Sequence, residues 1–516
     1  MSRRDYDREM LRVVIIKPSK YGVSGRVERF RRGFMPNSTV PYIRSMTPAS
    51  LDGTDIETYA IDEYVQTDLD YLDLLKNPDQ PTLLALVGVQ SHQFQRALDL
   101  TAFARANGVR HCVIGGPHPM TCDTSMLHFR GVSFALAEAE MIWLQILRDA
   151  IHGELQPLYG RDQRWAETLH APVLIPPSKR DLRRYVISML GIYPARGCPF
   201  TCNFCSVIKI AGRQIRSQSI ETTMESLRKA KAAGVRLVMF TSDNFNKYGE
   251  AKELLEHMIA ENIRMPFFAQ CDTQVAKQEE LVSLMARAGC FEIFIGVESF
   301  NRHTLLAAHK TQNHPSTYGD IVKLCRKHNI VSHFSNIIGF PEDTAGGIAE
   351  HLDVLRGLSP DVASFYILVP IPGTEQYDEF LAAGYITEPN MDRFDGTTPT
   401  WRHPNLPAAE LQDLLFSCYK KFYSTGHVVR TALQSLRADA IGGIVPYVAH
   451  PVFSRFSAWK RVHPMSGGVG RVFRDSAADY RELRKSRFGY DRLPLPKSLQ
   501  LSKADAELNR KVKIAI

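Results

Sequence analysis

The chain has 516 residues, 44% of them hydrophobic and 23% charged, with a formal net charge of +8 and nine cysteines. This length predicts two or three domains, and the composition excludes a disordered chain and a disulfide-rich scaffold. No apolar run reaches the ~18 residues of a transmembrane helix, and the charged N-terminus lacks the apolar core of a signal peptide. We therefore expect a cytoplasmic protein whose cysteines stay reduced.

Apolar runs alternate with helical patterns over residues 1–155. The runs Leu11–Pro18, Thr82–Gln90 and Val109–Pro119 are typical of buried parallel strands, and Asp55–Tyr64 alternates apolar with polar residues. Between two of these runs, Phe94–Gly108 has helical spacing and ends in glycine. This rhythm predicts an α/β fold with a Rossmann-like, doubly wound sheet.

A second strand–helix series follows a proline-rich linker at residues 156–185. Over residues 186–425, six strand-like runs alternate with helices, which predicts a partial (β/α)6 barrel of the TIM type, closed by a helix within Leu406–Thr425. The predicted strands lie in VISMLGIYPARG, RLVMFTSD, PFFAQCDT, CFEIFIGVES, VSHFSNIIGF and VASFYILVPIP.

Residues 426–516 form a basic and mostly helical C-terminal region. From Arg430 onward there are 17 Lys and Arg against 7 Asp and Glu, an excess of ten positive charges. A solvated region that packs partly on the barrel is one interpretation. Because basic residues alternate with aromatic ones, peripheral attachment to an anionic membrane is another. Nucleic acid is a weaker candidate, since we find no recognised nucleic-acid module.

The sharpest motif is RGCPFTCNFCS, in which Cys198, Cys202 and Cys205 are spaced C-x3-C-x2-C directly after the first barrel strand. In parallel barrels, active sites lie at this end of the strands. Three soft thiolates can hold three corners of a 4Fe–4S cluster and leave one iron open. A structural zinc site is the alternative, but it usually needs a fourth ligand, and none is near in sequence. We interpret the remaining cysteines, among them Cys112, Cys122, Cys271, Cys290 and Cys325, as core residues.

With Phe204 as its aromatic residue, this motif resembles the signature of radical S-adenosylmethionine (SAM) enzymes. Later segments resemble the strand motifs of the branch that carries an N-terminal cobalamin (B12)-binding domain, although Ser242 replaces an expected Asp. The resemblance covers most of Leu11–Thr425, and the segments that carry it are FTSDNFN, IGVESFN, IIGFPEDT and PIPGTEQYDEF.

The resemblance implies a role for each matching residue around the cluster. The three cysteines would bind the cluster, and its open iron would bind the amino and carboxyl groups of SAM. A guanidinium can pair with the methionine carboxylate in a forked geometry, which would be the role of Arg216. The other implied contacts to SAM are Phe204 near the adenine, Glu298 and Ser299 on the ribose or methionine moiety, and Asp243 and Asn244 at the barrel mouth.

The N-terminal sheet is the corresponding place for cobalamin, because open α/β sheets bind ligands beyond the carboxyl ends of their strands. A GG-x-H segment and AEAE match the branch, with Ala137 in place of a glycine. The D-x-H-x-x-G motif that supplies an axial histidine in methionine-synthase-type domains is absent. A nucleotide-binding or empty domain is the alternative. The predicted contacts are Lys17, Tyr21, Ser91, His92, Gln93, Gly115, Gly116, His118 and Glu138.

Together these features imply an enzyme that methylates an unactivated carbon of a small molecule, a hopanoid-like lipid or a tetrapyrrole. A flavodoxin or ferredoxin would supply single electrons. Two other functions stay open: a radical reaction without methylation, such as oxidative cyclisation or C–C coupling, and a cluster-bearing sensor without turnover. The sequence alone specifies neither the catalytic residues nor the substrate.

Overall fold

Two parallel sheets organise the chain. The computed structural model describes residues 10–437, 444–464, 467–510 and 512. The N-terminal sheet has seven strands in the order β3-β4-β1-β5-β6-β7-β8, all parallel except β3. The strands are β1 (Met10–Lys17), β2 (Arg29–Gly33, outside this sheet), β3 (Ser50–Leu51), β4 (Thr54–Asp62), β5 (Thr82–Leu86), β6 (His111–Gly115), β7 (Val132–Ala135) and β8 (Leu158–Tyr159).

Helices cover both faces of this sheet, which confirms the predicted doubly wound α/β fold. All five residues of β5 are buried, as expected for a strand with helices on each side. The helix after β7 ends at Gly153, whose φ of 77° lies in the left-handed region. The helices are α1 (Thr39–Met46), α2 (Phe94–Ala106), α3 (Pro117–Thr121) and α4 (Ala139–His152).

The second sheet is the predicted six-stranded partial barrel, with all strands parallel in the order β16-β15-β14-β13-β12-β9. Its strands are β9 (Met189–Ile192), β12 (Leu237–Phe240), β13 (Phe267–Cys271), β14 (Cys290–Glu298), β15 (Val331–Ile338) and β16 (Val362–Ile367), with a small ribbon of β10 (Ala195–Arg196) and β11 (Arg216–Ser217). Its helices are α5 (Lys179–Leu182), α6 (Val207–Ile210), α7 (Ile220–Ala232), α8 (Ala251–Ala260), α9 (Glu279–Ala288), α10 (Arg302–Ala307), α11 (Tyr318–Lys327), α12 (Ala345–Leu358) and α13 (Glu375–Ala382).

Two tyrosine hydroxyls cover the free edge of β16. Helix α14 (Ala408–Phe422) lies along this edge, as predicted. The Tyr423 hydroxyl accepts from the Ala363 amide and donates to its carbonyl, and Tyr419 does the same for Phe365. An open strand edge thereby obtains partners without another strand.

The C-terminal region packs against the N-terminal sheet as well as the barrel. It comprises α15 (Thr425–Arg437), α16 (Ile444–Trp459), β17 (Gly468–Val472), α17 (Arg481–Phe488) and α18 (Lys503–Arg510). Strand β17 pairs antiparallel with β2, more than 400 residues earlier in the chain. No helix of the described residues is long and apolar enough to cross a membrane.

A buried charge network joins this region to the N-terminal sheet. Glu63 lies 2.8 Å from Arg29, and Arg96 lies 2.5 Å from Glu63 and 3.0 Å from Asp475. On α17, Arg484 binds Asp99 of α2 at 2.5 Å. Burial alone would raise the pKa of Glu63, but Arg96 and Arg29 hold it at about 2. We call these six residues the paired network: Arg29, Glu63, Arg96, Asp99, Asp475 and Arg484.

Candidate functional site

The three clustered cysteines lie on a loop between β10 and α6. Cys202 is buried, and Cys198 and Cys205 are half-buried. The loop begins at Gly197, whose φ is 103° and where a Cβ would lie 2.1 Å from the carbonyl oxygen of Gln214. Burial raises the pKa of the Cys198 thiol to about 11 and that of Cys205 to about 12. A cation nearby is therefore needed to hold these groups as thiolates.

Hydrogen bonds hold this cysteine loop from two directions. The Arg213 guanidinium donates to the carbonyl of Pro199, from Nε at 3.1 Å and Nη2 at 2.9 Å. The Arg213 amide in turn donates to Oδ1 of Asn509, on α18, at 2.8 Å. The Cys198 amide donates to the carbonyl of Gly212 at 3.2 Å. The last described helix of the chain thus braces the loop.

A half-buried lysine lies beside the cysteine loop. Lys310 Nζ is 3.1 Å from Glu298 Oε1 and 5.8 Å from the centre of the Phe204 ring. Burial alone would lower the pKa of Lys310, but Glu298 and Cys202 hold it above its ordinary value. Gln312 Nε2 lies 3.7 Å from Cys202 Sγ, and its Oε1 is buried with no partner among the described residues. This corner of the site therefore holds one free acceptor and a cation.

Glu298 occupies a strained position at the end of β14. Its φ is 61°, which is unusual for a residue other than glycine, and the pairing with β15 shifts register there. Gly296 makes room for this arrangement, because a Cβ there would lie 2.4 Å from Glu298 Oε1 and 3.2 Å from Lys310 Nζ. Ser299 is buried beside it. The carboxylate is thus aimed at the barrel mouth at a cost in backbone energy.

The predicted residues after β12 separate into two roles. Asp243 Oδ2 accepts from the Gly197 amide at 2.7 Å, so it holds the start of the cysteine loop. Asn244 instead binds Asp272, donating from Nδ2 at 2.8 Å and accepting the Asp272 amide at 3.1 Å. Ser242 Oγ is buried with no partner among the described residues. Asn244 therefore links the ends of β12 and β13.

The Arg216 guanidinium is already occupied by a carboxylate of the N-terminal sheet. Its two terminal nitrogens each donate to one Glu138 oxygen at 2.7 Å, and Nη2 also donates to the Ala211 carbonyl at 2.9 Å. Both side chains are buried. The pair joins the two sheets, and a SAM carboxylate would have to displace Glu138 to bind Arg216.

Several predicted cofactor contacts on the N-terminal sheet bind other residues of that sheet. Lys17 Nζ donates to Gln93 Oε1 at 2.6 Å, and burial lowers the pKa of Lys17 to about 8. The Tyr21 hydroxyl donates to Asp99 at 2.5 Å, beside the paired network. The Tyr21 hydroxyl is thus bonded to the paired network, and its contact with a cofactor stays a prediction.

Of the two histidines predicted to contact the cofactor, His118 is buried and His92 borders a cavity. His118 is buried against the Phe94 ring, and its Nδ1 lies 3.0 Å from Ser91 Oγ. Burial lowers the pKa of both His118 and His92 to about 3, so each imidazole is neutral. His92 and Ser91 border the larger of the two cavities described next.

Two cavities lie side by side between the carboxyl edges of the two sheets. The sheet-edge cavity has a volume of 270 Å³ and apolar walls that include Trp143 and Ile146. Gly116 borders it, with a φ of 133°. Only glycine fits there, because a Cβ would lie 2.1 Å from the Val89 amide nitrogen. The other predicted residues that border it are Gly115, Glu138 and Asp243.

The barrel-mouth cavity is larger, with a volume of 470 Å³. Pro117 and Ile210 border both cavities, so the two are neighbours. Apolar side chains of β15, β16 and the loop after β16 form much of its wall. The predicted site residues that border it are Ser91, His92, Phe204, Cys205 and Glu298.

The family model of the Radical SAM superfamily matches residues 192–355, which contain the cysteine loop and Glu298. The chain carries a radical SAM domain. Such a domain works with a 4Fe–4S cluster and SAM. The predicted resemblance is therefore confirmed.

Curated relatives with similar sequences include methyltransferases and a cyclase. A bacteriochlorophyllide d C-12(1)-methyltransferase of Chlorobaculum tepidum is 27% identical, over 54% of this chain and 61% of its own length. A hopanoid C-2 methylase of Rhodopseudomonas palustris is 24% identical, over 62% of each chain. An anaerobic magnesium-protoporphyrin IX monomethyl ester cyclase of Cereibacter sphaeroides is 24% identical, over 47% and 40%. The chain thus spans less than two thirds of the length of these relatives.

The similarity in fold to a solved structure extends beyond residues 192–355. TsrM of Kitasatospora setae, a radical SAM methyltransferase solved with cobalamin and a [4Fe-4S] cluster, superposes with a TM-score of 0.65 at 16% identity. The match covers 87% of this chain and 99% of that one. The N-terminal sheet and the barrel therefore share one arrangement with this protein.

The cysteine loop suits a cluster by the chemistry of its donors. The motif supplies three sulfur donors, and Lys310 lies beside them. No three His, Cys, Asp or Glu side chains in the described part of the chain are grouped to hold a single metal ion. A cubane cluster binds each thiolate through a different iron, so it does not require convergence on one ion.

Sequence reasoning missed Lys310, Gln312 and Arg213. Lys310 follows Glu298 by 12 residues, across the turn after α10, where no motif marks it. Gln312 lies in the same turn, and Arg213 follows the cysteines without a periodic pattern. A lysine amid polar residues carries no sequence signal of its own, because only the fold brings it to a carboxylate.

Proposed function

We propose that this radical SAM protein is a cobalamin-dependent methyltransferase that acts on an unactivated carbon of an apolar small molecule, hopanoid-like lipid or tetrapyrrole. The observation that carries the proposal is the pair of adjoining cavities between the two sheets. One cavity is bordered by a cluster cysteine, Cys205, and the other lies at the N-terminal sheet. Two cofactors and a substrate can therefore meet there.

Within the site, each group has a proposed holder. The three cysteines would hold the cluster, and Lys310 would bind the SAM carboxylate, because Arg216 is occupied by Glu138. When bound, the cluster and cobalamin supply the electron for SAM cleavage and the carrier for a methyl group. Glu298 stays close enough to Lys310 to orient its ammonium.

The sheet-edge cavity would receive the flat heterocyclic tail of cobalamin. Its walls are mostly apolar, with Ile43, Leu86, Val113 and Trp143 among them. Burying an aromatic ring in such a cavity is favourable by about 25 cal/mol per Å² of apolar surface. Gly116 at this edge is required by close backbone packing, because a Cβ there would lie 2.1 Å from the Val89 amide nitrogen.

The barrel-mouth cavity favours an apolar substrate. Ile337, Leu368, Val369 and Ile371 border it, opposite the cysteine loop. These side chains exclude water, which protects a reactive radical from side reactions. The only titratable imidazole among the described bordering residues, His92, is neutral, so we expect no proton transfer from it at neutral pH.

Anaerobic turnover tests this proposal. Protein with a reconstituted cluster and added cobalamin is supplied with a one-electron reductant, SAM labelled in its methyl group, and a candidate apolar substrate. We expect 5′-deoxyadenosine and a product that contains the label. The absence of both products, with the cluster intact, would contradict enzymatic function and leave the sensor as the answer.

A radical cyclisation or coupling is the second candidate function, and the similarity to a cyclase relative supports it. It predicts 5′-deoxyadenosine without transfer of the label to product. The same experiment therefore separates the two reactions.

We further propose three features that go with this function. The chain divides into a cobalamin domain at 1–155, a linker at 156–185, the radical SAM barrel at 186–425 and a basic region at 426–516. A flavodoxin or ferredoxin supplies the electron. The protein stays in the cytoplasm and contacts the inner membrane peripherally, which a flotation assay tests below.

A further inference from the structure

A basic groove crosses the end of the barrel opposite the cysteine loop. It has a volume of 720 Å³ and follows the N-terminal ends of β9, β12, β13 and β14. None of the described residues that border it is acidic. The nearby Asp181 borders a separate hollow instead. An uncompensated positive groove attracts an anionic partner. Its four cations are Arg32, Lys179, Arg183 and Arg236.

The β2–β17 ribbon continues the groove toward the C-terminal helices. Arg32, on β2, donates from Nη2 to the carbonyl of Tyr185 at 3.0 Å, which fixes it to the wall of the groove. Val469 of β17 pairs directly with Arg32 and is 52% exposed. Val186, in the wall itself, is 48% exposed. Cationic and apolar side chains therefore alternate across the groove and the ribbon.

Helix α16 extends this surface with a larger apolar stripe. The Phe34 ring, directly after β2, stacks on Phe453 of α16 with the ring centres 5.6 Å apart. The neighbouring residues Val452, Phe456 and Trp459 recur at intervals of four and three, and all three are exposed, Trp459 by 65%. Lys460 Nζ lies 4.8 Å from the centre of the Trp459 ring. This face of α16 has apolar residues facing outward and a cation at its end.

We propose that the groove, the ribbon and this face of α16 form one docking face that binds the anionic surface of a lipid bilayer. Cations alone would suit nucleic acid or an acidic protein equally. The exposed aliphatic residues Val186, Val452 and Val469 favour lipid, since they can enter the boundary between headgroups and acyl chains. Exposed Trp459 and Phe456 suit the same boundary.

This inference deepens the proposed membrane contact and depends on no step of the radical chemistry. The docking face lies at the N-terminal ends of the barrel strands, whereas the cysteine loop follows the carboxyl end of β9. A docked protein would therefore keep its barrel mouth away from the bilayer, open to a water-soluble reductant.

Vesicle flotation tests the docking face. The full chain is mixed with vesicles of 30% phosphatidylglycerol in phosphatidylcholine, or of phosphatidylcholine alone. We expect flotation with the anionic vesicles that weakens as salt is raised. The triple variant Arg32→Glu, Arg183→Glu, Arg236→Glu should bind at least about tenfold more weakly, since each basic residue near the lipid contributes substantially. Phe456→Ser with Trp459→Ser should weaken binding even at high salt.

The matched control reverses three exposed lysines on the outer helices of the barrel, Lys252→Glu, Lys323→Glu and Lys327→Glu. It changes net charge by the same amount and should float like the unaltered chain. Equal losses in the two triple variants, or no flotation of the unaltered chain, would overturn the docking face. The docking face would also be overturned if the unaltered chain bound a single-stranded oligonucleotide more tightly than anionic vesicles and the first triple variant lost that binding. The first triple variant should cleave SAM at the unaltered rate. A failure of the docking proposal can therefore be distinguished from a failure of the proposed enzymatic function.

Discussion

Two buried polar regions of this protein are built in opposite ways. In the paired network, three arginines face three carboxylates, and the C-terminal region supplies one of each, Arg484 and Asp475. Around the cysteine loop, Lys310 has the single carboxylate of Glu298, and Gln312 Oε1 and Ser242 Oγ have no partner among the described residues.

This difference in charge pairing separates a network that stabilises the fold from a site that can bind a ligand. In the paired network the charges sum to zero and bind one another, so no charge is available for a ligand. These ion pairs also offset the free-energy cost of burying the charged groups. The half-buried Lys310 ammonium, which has one carboxylate partner and lies beside three thiols, retains capacity for an anionic group. The comparison also divides the charges of the basic C-terminal region. Arg484 and Asp475, one positive and one negative, both lie in the network, so the excess of ten positive charges belongs to the other residues of the region.

Cysteine replacement should produce the largest effect. Cys202→Ala removes one of three cluster ligands, so we expect loss of bound iron and of all SAM cleavage, with folding retained. Iron and sulfide content and 5′-deoxyadenosine formation measure this. Cys418→Ala, at a buried cysteine of α14, is the matched control and should keep both. A Cys202→Ala protein that keeps its full iron content and still cleaves SAM would show that the cysteine loop does not hold the cluster.

Breaking the paired network should destabilise the fold. Arg484→Ala leaves Asp99 buried without its main cation, for which we expect a loss of about 3–5 kcal/mol in the free energy of unfolding. The midpoint of denaturant unfolding measures it. Arg481→Ala, on the same helix but in an exposed pair with Asp491, should cost less than about 1 kcal/mol. Similar losses in the two variants would mean that the network does not stabilise the fold.

Removing the cation beside the cysteines should weaken SAM binding and spare the cluster. For Lys310→Met we expect a dissociation constant for SAM about 10- to 100-fold higher, which corresponds to roughly 1.4–2.7 kcal/mol. Binding is followed by the spectral change of the cluster when SAM is added. Lys327→Met, at an exposed lysine, serves as control. If Lys310→Met keeps both its SAM affinity and its full iron content, another residue binds the SAM carboxylate, and Arg216 would be the next candidate.

Asp392 offers a smaller, pH-dependent test at the rim of the network, near Asp99 and Arg484. Burial raises the pKa of Asp392 from 3.8 to about 7. The folded protein thus holds a proton there that the unfolded chain releases, so this contribution to stability is present below pH 3.8 and is lost as the pH rises to 7. We expect Asp392→Asn to be about 1–2 kcal/mol more stable than the unaltered protein at pH 8, and equal to it near pH 4. The measurement is the unfolding midpoint of both proteins at each pH. A stability difference between them that is the same at pH 4 and pH 8 would contradict the raised pKa of Asp392.

Local patterns were enough to predict much of the fold. The six barrel strands were recognisable because a buried parallel strand is rich in apolar residues, as in β9, whose four residues are all buried. The cysteine motif was recognisable because its ligands are contiguous in sequence. Both signals are complete within about ten residues.

Contacts between distant segments could not be predicted. Arg216 and Glu138 are 78 residues apart, and each is typical of a surface ion pair or a ligand contact when read alone. The pairing of β17 with β2 leaves no trace in either segment, because a short two-stranded ribbon needs little hydrophobic alternation. Such contacts depend on the packing of whole domains, which local propensity does not encode.

The bond between Arg213 and Asn509 has a consequence for the order in which this protein matures. Asn509 follows Arg213 by 296 residues, so a ribosome adding 5–20 residues per second makes it roughly 15–60 s later. During that interval the cysteines are synthesised but the loop lacks its final brace. A cluster assembled on the nascent chain would therefore form on a loop that α18 does not yet brace, whereas a cluster assembled after synthesis would form on the braced loop.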